Sequence, residues 1–471
     1  MDLLLGPLPA RRDLNRIPQV PGNNKITLHV DRTLPFEFIA GVLSPFLRLW
    51  DADETITLSP YDASLSSIGG STDADVYILW LDWRLYRDTM TVQAAGDWLK
   101  ERIANLRSKT DKPVFVNNWP EQYEMEDKLF SARTGKRRWI RQLNELLNRL
   151  SEEITDFWII DLAYIALELD GAFFDGRNEQ VSNYPLSDQA TIASARHLGL
   201  HLLPAVLRPR IKALALDLDD TLYSGVLGED GIAGVTLSKA HARLQNLLLR
   251  LKQSGLMLTI CSRNEEADVL ALFQKRTDFP LKWTDFAAVC ADWKPKADNL
   301  LKLARKLNID PSAFLFIDDN PAELLKMSSQ IPAVRLLKAD PKGELTLMKI
   351  CNYPGLYQLR QDDSALLRTA DIQANRLREE LKSQAADYMS YLESLQMKIR
   401  IYTNEQSHLN RVYEMSHKTN QFNLALRRMS MAEVERAMND SGYLTFTVQL
   451  SDILSDSGII GNLVCRLLLE K

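Results

Sequence analysis

The sequence predicts an α/β protein made of two consecutive three-layer α/β/α domains, followed by a small α+β piece. Three observations lead there. Apolar runs of strand length alternate with helical patterns twice along the chain, the signature of parallel sheets covered by helices. At 471 residues the chain is too long for one core, so two or three domains are expected. An apolar run at 213–216 opens directly onto three carboxylates, Asp217, Asp219 and Asp220. Ligands of open α/β sheets bind at such carboxyl strand ends.

Residues 1–24 are rich in Pro, Gly and Arg and read as an irregular lead-in. The first α/β domain is expected over 25–208. Its strands are "KITLHV" (25–30), "DVYILWL" (75–81), "PVFVNN" (113–118) and "DFWIIDL" (156–162), with helical patterns at 92–108 and 137–154. The second spans 209–355, with strands "ALALDL" (213–218), "LMLTICS" (256–262), "AAVCA" (287–291), "AFLFIDD" (313–319) and "AVRLL" (333–337). Its helical patterns at 238–255 and 294–308 end in Gly and Asn, residues favoured at left-handed caps. Residues 356–396 are charged and read as a helical connector. The last segment, 397–471, carries strands "MKIRIY" (397–402), "YLTFTVQL" (443–450) and "GNLVCRLLL" (461–469).

Composition excludes several classes of function. A net charge of −5 offers no global basic field for nucleic acid, and the run "TGKRRWIRQ" (134–142) reads as a solvated helix face. The four cysteines, Cys261, Cys290, Cys351 and Cys465, form no CxxC pair or Cys/His cluster. Neither a disulfide framework nor a zinc site is expected, and reduced thiols fit best. The N-terminus lacks the pattern of a signal peptide, and no stretch of about 20 apolar residues exists to span a membrane. A cytoplasmic location is expected.

Crowded carboxylates repel one another and persist at a solvated turn or around a cation. The bland reading of "DLDD" is an acidic loop; the sharp one is a magnesium site. Downstream residues favour the second. Ser262 ends the strand "TICS", Lys294 and Lys296 open a helix in "DWKPKADN", and "LFIDDNP" ends a strand in Asp318 and Asp319. Together they supply a cation cage, a hydroxyl and an ammonium for a phosphate. Asp220 reads as a turn acid and Lys294 as a solvated helix-start residue.

That order of motifs resembles the haloacid dehalogenase superfamily, whose pattern Asp217, Asp219 and Thr221, then Ser262, then Lys296, then Asp318 and Asp319 match. The resemblance implies Asp217 as nucleophile on phosphorus and Asp219 as general acid and base. It implies Thr221, Ser262 and Lys296 as phosphate ligands. It further implies Mg²⁺ held by Asp217, Asp219 (through its backbone carbonyl) and Asp318. The segments between these motifs are too short to hold a cap domain, so a capless Rossmann-like domain is expected.

More narrowly, "DLDDTLYSGVLGEDG", "ICSRN", "DWKPK", "FIDDNPAE" and "SHKTNQFNLALRRMS" (416–430) resemble the FkbH-like family. This resemblance implies transfer of a glyceryl or related acyl group from an acyl phosphate such as 1,3-bisphosphoglycerate to an acyl carrier protein. Phosphate is released, and the product serves polyketide or surface-polysaccharide biosynthesis. Cys261 matches the family's candidate acyl-carrying thiol. Neighbouring strand residues face opposite ways, so Cys261 and Ser262 can both face the phosphate only if the strand ends there. Tyr223 stands where the family carries Trp. The first domain resembles an SGNH-hydrolase-like (flavodoxin-like) domain, but "VDRTLP" replaces its Gly-Asp-Ser, so a catalytically silent scaffold is expected. The last segment resembles part of a GNAT-like module through Asn420, Phe422 and Asn423. The alternatives are a phosphatase acting on a small phosphate ester and a non-catalytic scaffold.

Overall fold

The computed structural model describes residues 1–18, 20–70, 73–122, 129, 136–359, 378, 381–382, 387–418, 429–453 and 459–466. Most of the expected helical connector, and Asn420, Phe422 and Asn423, lie outside these. The chain divides into two compact units, Met1–Leu207 with Val412–Gly442, and Arg208–Arg411 with Tyr443–Lys471.

The first unit holds a five-stranded parallel sheet: β1 (Asn24–Arg32), β2 (Ala52–Tyr61), β3 (Val76–Trp80), β4 (Val114–Asn117) and β5 (Phe157–Ile160). Their order, β2-β1-β3-β4-β5, is that of flavodoxin-like sheets. β3, "VYILW", is buried at every position, as a central strand covered on both faces must be. β2 was not apparent as an apolar run. It lies at the sheet edge, and its sequence "ADETITLSPY" alternates polar and apolar residues because it is only half-buried. Helix Lys136–Glu153 buries Ile140, Leu143, Leu147 and Leu150, a spacing that puts all four on one helix face.

The second unit repeats the plan with β6 (Ala213–Leu216), β7 (Met257–Ser262), β8 (Phe286–Ala291), β9 (Phe314–Asp318) and β10 (Arg335–Lys338), ordered β10-β9-β6-β7-β8 and parallel throughout. β6 is therefore central, flanked by β9 and β7. Helix Lys296–Leu307 packs Ala297, Leu300, Leu303, Ala304 and Leu307 against Ala213, Ala215, Phe314 and Phe316 of the sheet. It ends at Asn308, whose φ of 49° is the left-handed cap the sequence predicts. Helix Lys239–Gln253 starts at Ser238, whose hydroxyl accepts from the His241 N–H, a cap worth about 1 kcal/mol.

A small antiparallel sheet, β11 (Lys398–Thr403), β12 (Tyr443–Ser451) and β13 (Ile459–Arg466), completes the unit in the order β11-β12-β13. The expected fold class is the observed one: two consecutive parallel-sheet units flanked by helices, and a small antiparallel piece. Among the described residues no helix is long and apolar enough to cross a membrane.

Candidate active site

Three neighbouring strands of the second sheet end in polar side chains on one edge. β6 runs out into Asp217, β9 ends in Asp318 and β7 ends in Ser262. The registers Leu216↔Ile317 and Leu216↔Ile260 bring these ends side by side. The Asp217 N–H continues the ladder to the Ile317 carbonyl at 2.9 Å, which fixes where its carboxylate begins. Ser262 Oγ then donates to Asp217 Oδ1 at 2.6 Å.

Lys296 opens the helix that packs beneath this edge. Its Nζ lies 2.9 Å from Asp217 Oδ2 and donates to Asp318 Oδ2 at 2.7 Å. All three side chains are buried. Burial works against the ammonium, but the Asp217 and Asp318 carboxylates outweigh it and hold Lys296 above its ordinary range. Asp318 moves the other way from a usual carboxylate. Burial first, and the Asp217 charge second, push it up to about 6 despite the Lys296 ammonium. Burial and the charges of Asp217 and Asp220 also push Asp319 up. Lys294, by contrast, is exposed, as expected of a helix-start residue outside the site.

The carboxylates of Asp217, Asp318 and Asp319 offer oxygens that all lie within 4.8 Å of one another. An all-oxygen donor set of this kind suits a hard divalent cation such as Mg²⁺. Burial and mutual repulsion raise two of the three carboxyls, and a dication removes both penalties at once. The residues therefore fit the ion. The third carboxylate is Asp319, which the motif order matched without assigning it to the ion. The chain turns after β6 and carries the Asp219 carboxylate away from the cluster, so any contribution of Asp219 to the ion falls to its backbone.

That carboxylate is held from three sides. Tyr223 Oη donates to its Oδ1 at 2.8 Å and the Leu227 N–H donates to the same atom at 3.0 Å. Asn264 Nδ2 donates to Oδ2 at 2.8 Å and also reaches Ser262 Oγ at 3.2 Å. Burial, reinforced by the Asp219 carboxylate, pushes the Tyr223 phenol far up, so it remains a donor. Sequence reasoning assigned neither Tyr223 nor Asn264 a role. "SRN" directly after a strand-end Ser was the available signal for Asn264. Asp220 behaves as the turn acid expected. It sits at φ 50°, and its carboxylate accepts from the N–H of Gly225, itself at φ 104°. Those two left-handed residues fold the flap that brings the Leu227 N–H to Asp219. Thr221 is fully buried, and its Oγ1 has no hydrogen-bond partner.

Cys261 lies elsewhere. β7 continues through Ser262, so the alternation of the strand holds and the two side chains face opposite ways. Cys261 packs in the core with Ala215, Ala297 and Phe316, fully buried, and its thiol donates to the Lys296 carbonyl at 3.4 Å. Burial pushes the thiol well up, against the pull of Lys296. A protonated, enclosed thiol is a poor nucleophile, which corrects the expectation that Cys261 stands at the mouth of the site.

In the first unit, the residues at the carboxyl end of β1 that replace a nucleophile motif are Asp31, Arg32 and Thr33, all buried. Asp31 Oδ2 accepts from the Gly69 N–H at 2.8 Å, and Arg32 Nε donates to the Ser59 carbonyl at 2.9 Å. His197 and His201 meet each other through their Nδ1 atoms at 3.0 Å.

No protein-family model and no curated relative matches the chain. Among solved structures, the chain is similar to the N-terminal part of protein BF1531 from Bacteroides fragilis, described as containing a phosphatase domain and complexed with Mg. The two share 21% identity over 72% of this chain and 95% of that one, with a TM-score of 0.58, a likeness of fold. A protein from Porphyromonas gingivalis described as a predicted HAD-like family hydrolase (17% identity, 28% of this chain, 93% of that one) reaches a TM-score of 0.21. A member of the lipolytic G-D-S-L family from Veillonella parvula (11%, 36% and 94%) reaches 0.26. At those scores the overlaps carry no structural argument.

Proposed function

We propose that the second unit is a Mg²⁺-dependent phosphoryl-transfer enzyme of the haloacid dehalogenase type, acting as a phosphatase on a small phosphate-bearing substrate. The observation that carries this is the Asp217 carboxylate, pinned between Ser262 Oγ and Lys296 Nζ beside two further carboxylates. Phosphoryl transfer asks mainly for positioning and charge neutralisation. When bound by Asp217, Asp318 and Asp319, Mg²⁺ would offset the charge of the incoming phosphate.

The residues divide the work. Ser262 and Lys296 grip phosphate oxygens and keep Asp217 aimed at phosphorus. An Asp217 oxygen forms a bond to phosphorus as the bond to the leaving oxygen breaks, and Asp219 delivers a proton to that oxygen. Asp219 then takes a proton from water, whose oxygen attacks phosphorus. The Asp217–phosphorus bond breaks and inorganic phosphate leaves. Thr221 is tied into the aspartate turn by its backbone, whose N–H donates to the Leu218 carbonyl at 3.2 Å, and its buried hydroxyl is left to serve as a phosphate donor.

Between Asp219 and Lys296 the chain holds only helices Leu227–Gly234, Lys239–Gln253 and Glu266–Lys275, the short Trp283–Asp285 turn and two sheet strands, with no inserted domain over the site. This favours a second reaction at the same site: transfer of an acyl group from an acyl phosphate to the thiol of a large partner such as an acyl carrier protein. With Cys261 enclosed, the partner's own thiol, giving its proton to Asp219, would attack the acyl carbon, the carbon–oxygen bond to phosphate would break, and phosphate would remain in the grip of Ser262 and Lys296.

The test is phosphate release from acyl phosphate and small phosphate esters, with Mg²⁺ or with chelator, by wild type and Asp217→Asn. Release that needs both Mg²⁺ and Asp217 supports the phosphoryl-transfer reading, and release that survives Asp217→Asn sinks it. Intact masses of enzyme and added carrier then separate the outcomes. An acyl gain on the carrier, unchanged by Cys261→Ala, marks direct transfer, and free phosphate with no gain marks hydrolysis.

A further inference from the structure

Two donors hold Asp219 Oδ1, the Tyr223 hydroxyl and the Leu227 N–H, and both trace back to one side chain outside every motif of the site. We propose that Arg276, which follows helix Glu266–Lys275, is a positioning residue that keeps both donors on Asp219. The proposal rests on the phosphoryl-transfer reading, in which Asp219 protonates the leaving oxygen.

The first route runs through the flap. Ser224 and Thr236 close its base by exchanging two N–H to carbonyl hydrogen bonds of 3.0 and 2.9 Å. The helix within it, Leu227–Gly234, is broken at Gly231, whose φ is 67°, so the half that carries Leu227 does not by itself fix the half that follows. Arg276 takes hold of that second half. Its Nη1 donates to the Val235 carbonyl at 2.6 Å and reaches the Ile232 carbonyl at 3.4 Å. Among the described residues no other side chain hydrogen-bonds to residues 231–235.

The second route runs through two rings. The Arg276 guanidinium carbon stands 4.6 Å from the centre of the Phe279 ring, a cation–π contact. Phe279 is buried and stacks on Tyr223, with 5.7 Å between ring centres and 28° between planes. Gln245 ties the backbone beside each ring, donating to the Leu222 carbonyl at 2.9 Å and accepting from the Leu281 N–H at 3.3 Å.

Arginine suits this double duty. Its Nε and Nη2 grip the Asp278 carboxylate at 2.8 Å each, which sets the plane of the guanidinium and leaves Nη1 for the flap. A lysine, with a single compact charge, cannot hold Asp278 in this two-pronged way and span to the flap as well. None of the hydrogen bonds of Arg276 goes to an aspartate of the site, so it acts through Leu227 and Tyr223. A general acid works only within reach of the oxygen it protonates, and small misplacements are costly.

The test uses the full chain as wild type, Arg276→Gln and Arg276→Lys, each also combined with Asp219→Asn. Two readouts are taken. Deuterium exchange of a peptide spanning 225–236, measured by mass spectrometry without substrate, is expected to quicken about tenfold or more in Arg276→Gln and less in Arg276→Lys. Turnover of an alkyl phosphate, whose leaving oxygen needs a proton, is expected to fall about tenfold, and that of p-nitrophenyl phosphate less than about twofold. The alkyl-ester loss is expected to vanish in the Asp219→Asn background, because both changes act on one proton transfer. Unchanged exchange overturns the proposal. So do equal losses on both esters, the mark of a merely structural role, and a loss that persists undiminished beside Asp219→Asn. A wild type that releases phosphate from neither ester sinks the phosphatase reading on its own; faster exchange in Arg276→Gln then still supports the hold of Arg276 on the flap, and unchanged exchange overturns it.

Discussion

Replacing Asn264 with Ala tests whether Asp219 works as the general acid and whether its orientation matters. Asn264 is 4% exposed, and its amide is the only donor described on Asp219 Oδ2, while Tyr223 and Leu227 share Oδ1. Without the amide the carboxylate keeps its anchor on one oxygen and gains freedom to pivot on the other. A hydrogen bond to a charged acceptor is worth about 1.5–3 kcal/mol, which, fully expressed at the transition state, is a loss of roughly 10- to 150-fold in turnover. General acid–base catalysis contributes about 10²–10⁴-fold, so the loss has a ceiling, set by Asp219→Asn.

The assay compares an alkyl phosphate with p-nitrophenyl phosphate, whose leaving oxygen departs without needing a proton. The expected loss falls mainly on the alkyl ester. It shrinks in an Asp219→Asn background, because the two side chains act through one proton transfer. Equal losses on both esters would refute the reasoning. The amide would then matter through its contact with Ser262, on the phosphate side. No loss on either ester would mean that Tyr223 and Leu227 suffice to hold Asp219.

Three further outcomes follow from the same structure. Lys296→Met leaves Asp217 and Asp318 buried without their shared ammonium; breaking a buried pair in this way costs about 3–5 kcal/mol, and Mg²⁺ restores part of it, read as urea midpoints with and without the ion. Asp319→Asn removes one of three clustered carboxylates and weakens Mg²⁺ binding roughly tenfold or more by titration calorimetry, whereas Asp220→Asn, at the flap turn, leaves it nearly unchanged. Burial holds His197 down at about 4, against the raising charge of Asp161, so the unfolded chain binds a proton there that the folded one refuses. Stability from this group is intact above about pH 6.5 and falls as pH drops towards 4, by at most roughly 3 kcal/mol; His197→Gln flattens that part of the denaturation profile.

Strands covered on both faces were legible as apolar runs, β3 and β9 most clearly, because burial leaves no room for polar residues. β2 was not, since an edge strand half in water keeps only an alternation that "ADETITLSPY" shares with many loops. The order of the site residues was legible for a related reason. In a parallel sheet with β6 between β9 and β7, every strand end faces the same edge, so Asp217, Ser262 and Asp318 need only end their strands to meet.

What happens after the strand ends was less visible. Asp219 lies three residues past β6 and Asp319 one residue past β9, and the turn alone decides which carboxylate joins the cluster. Asn264 reaches Asp219 across 45 positions, a contact that exists only because β6 and β7 are neighbours. Cys261 shows the opposite case, since the period-2 rule already put it and Ser262 on different faces. The family pattern put a thiol at the phosphate, but the backbone puts it in the core. Where a motif and the geometry of its strand disagree about a side chain, the strand decides. Turning Cys261 towards the site would turn Ser262 into the core on the other face of the sheet and remove the hydroxyl that aims Asp217.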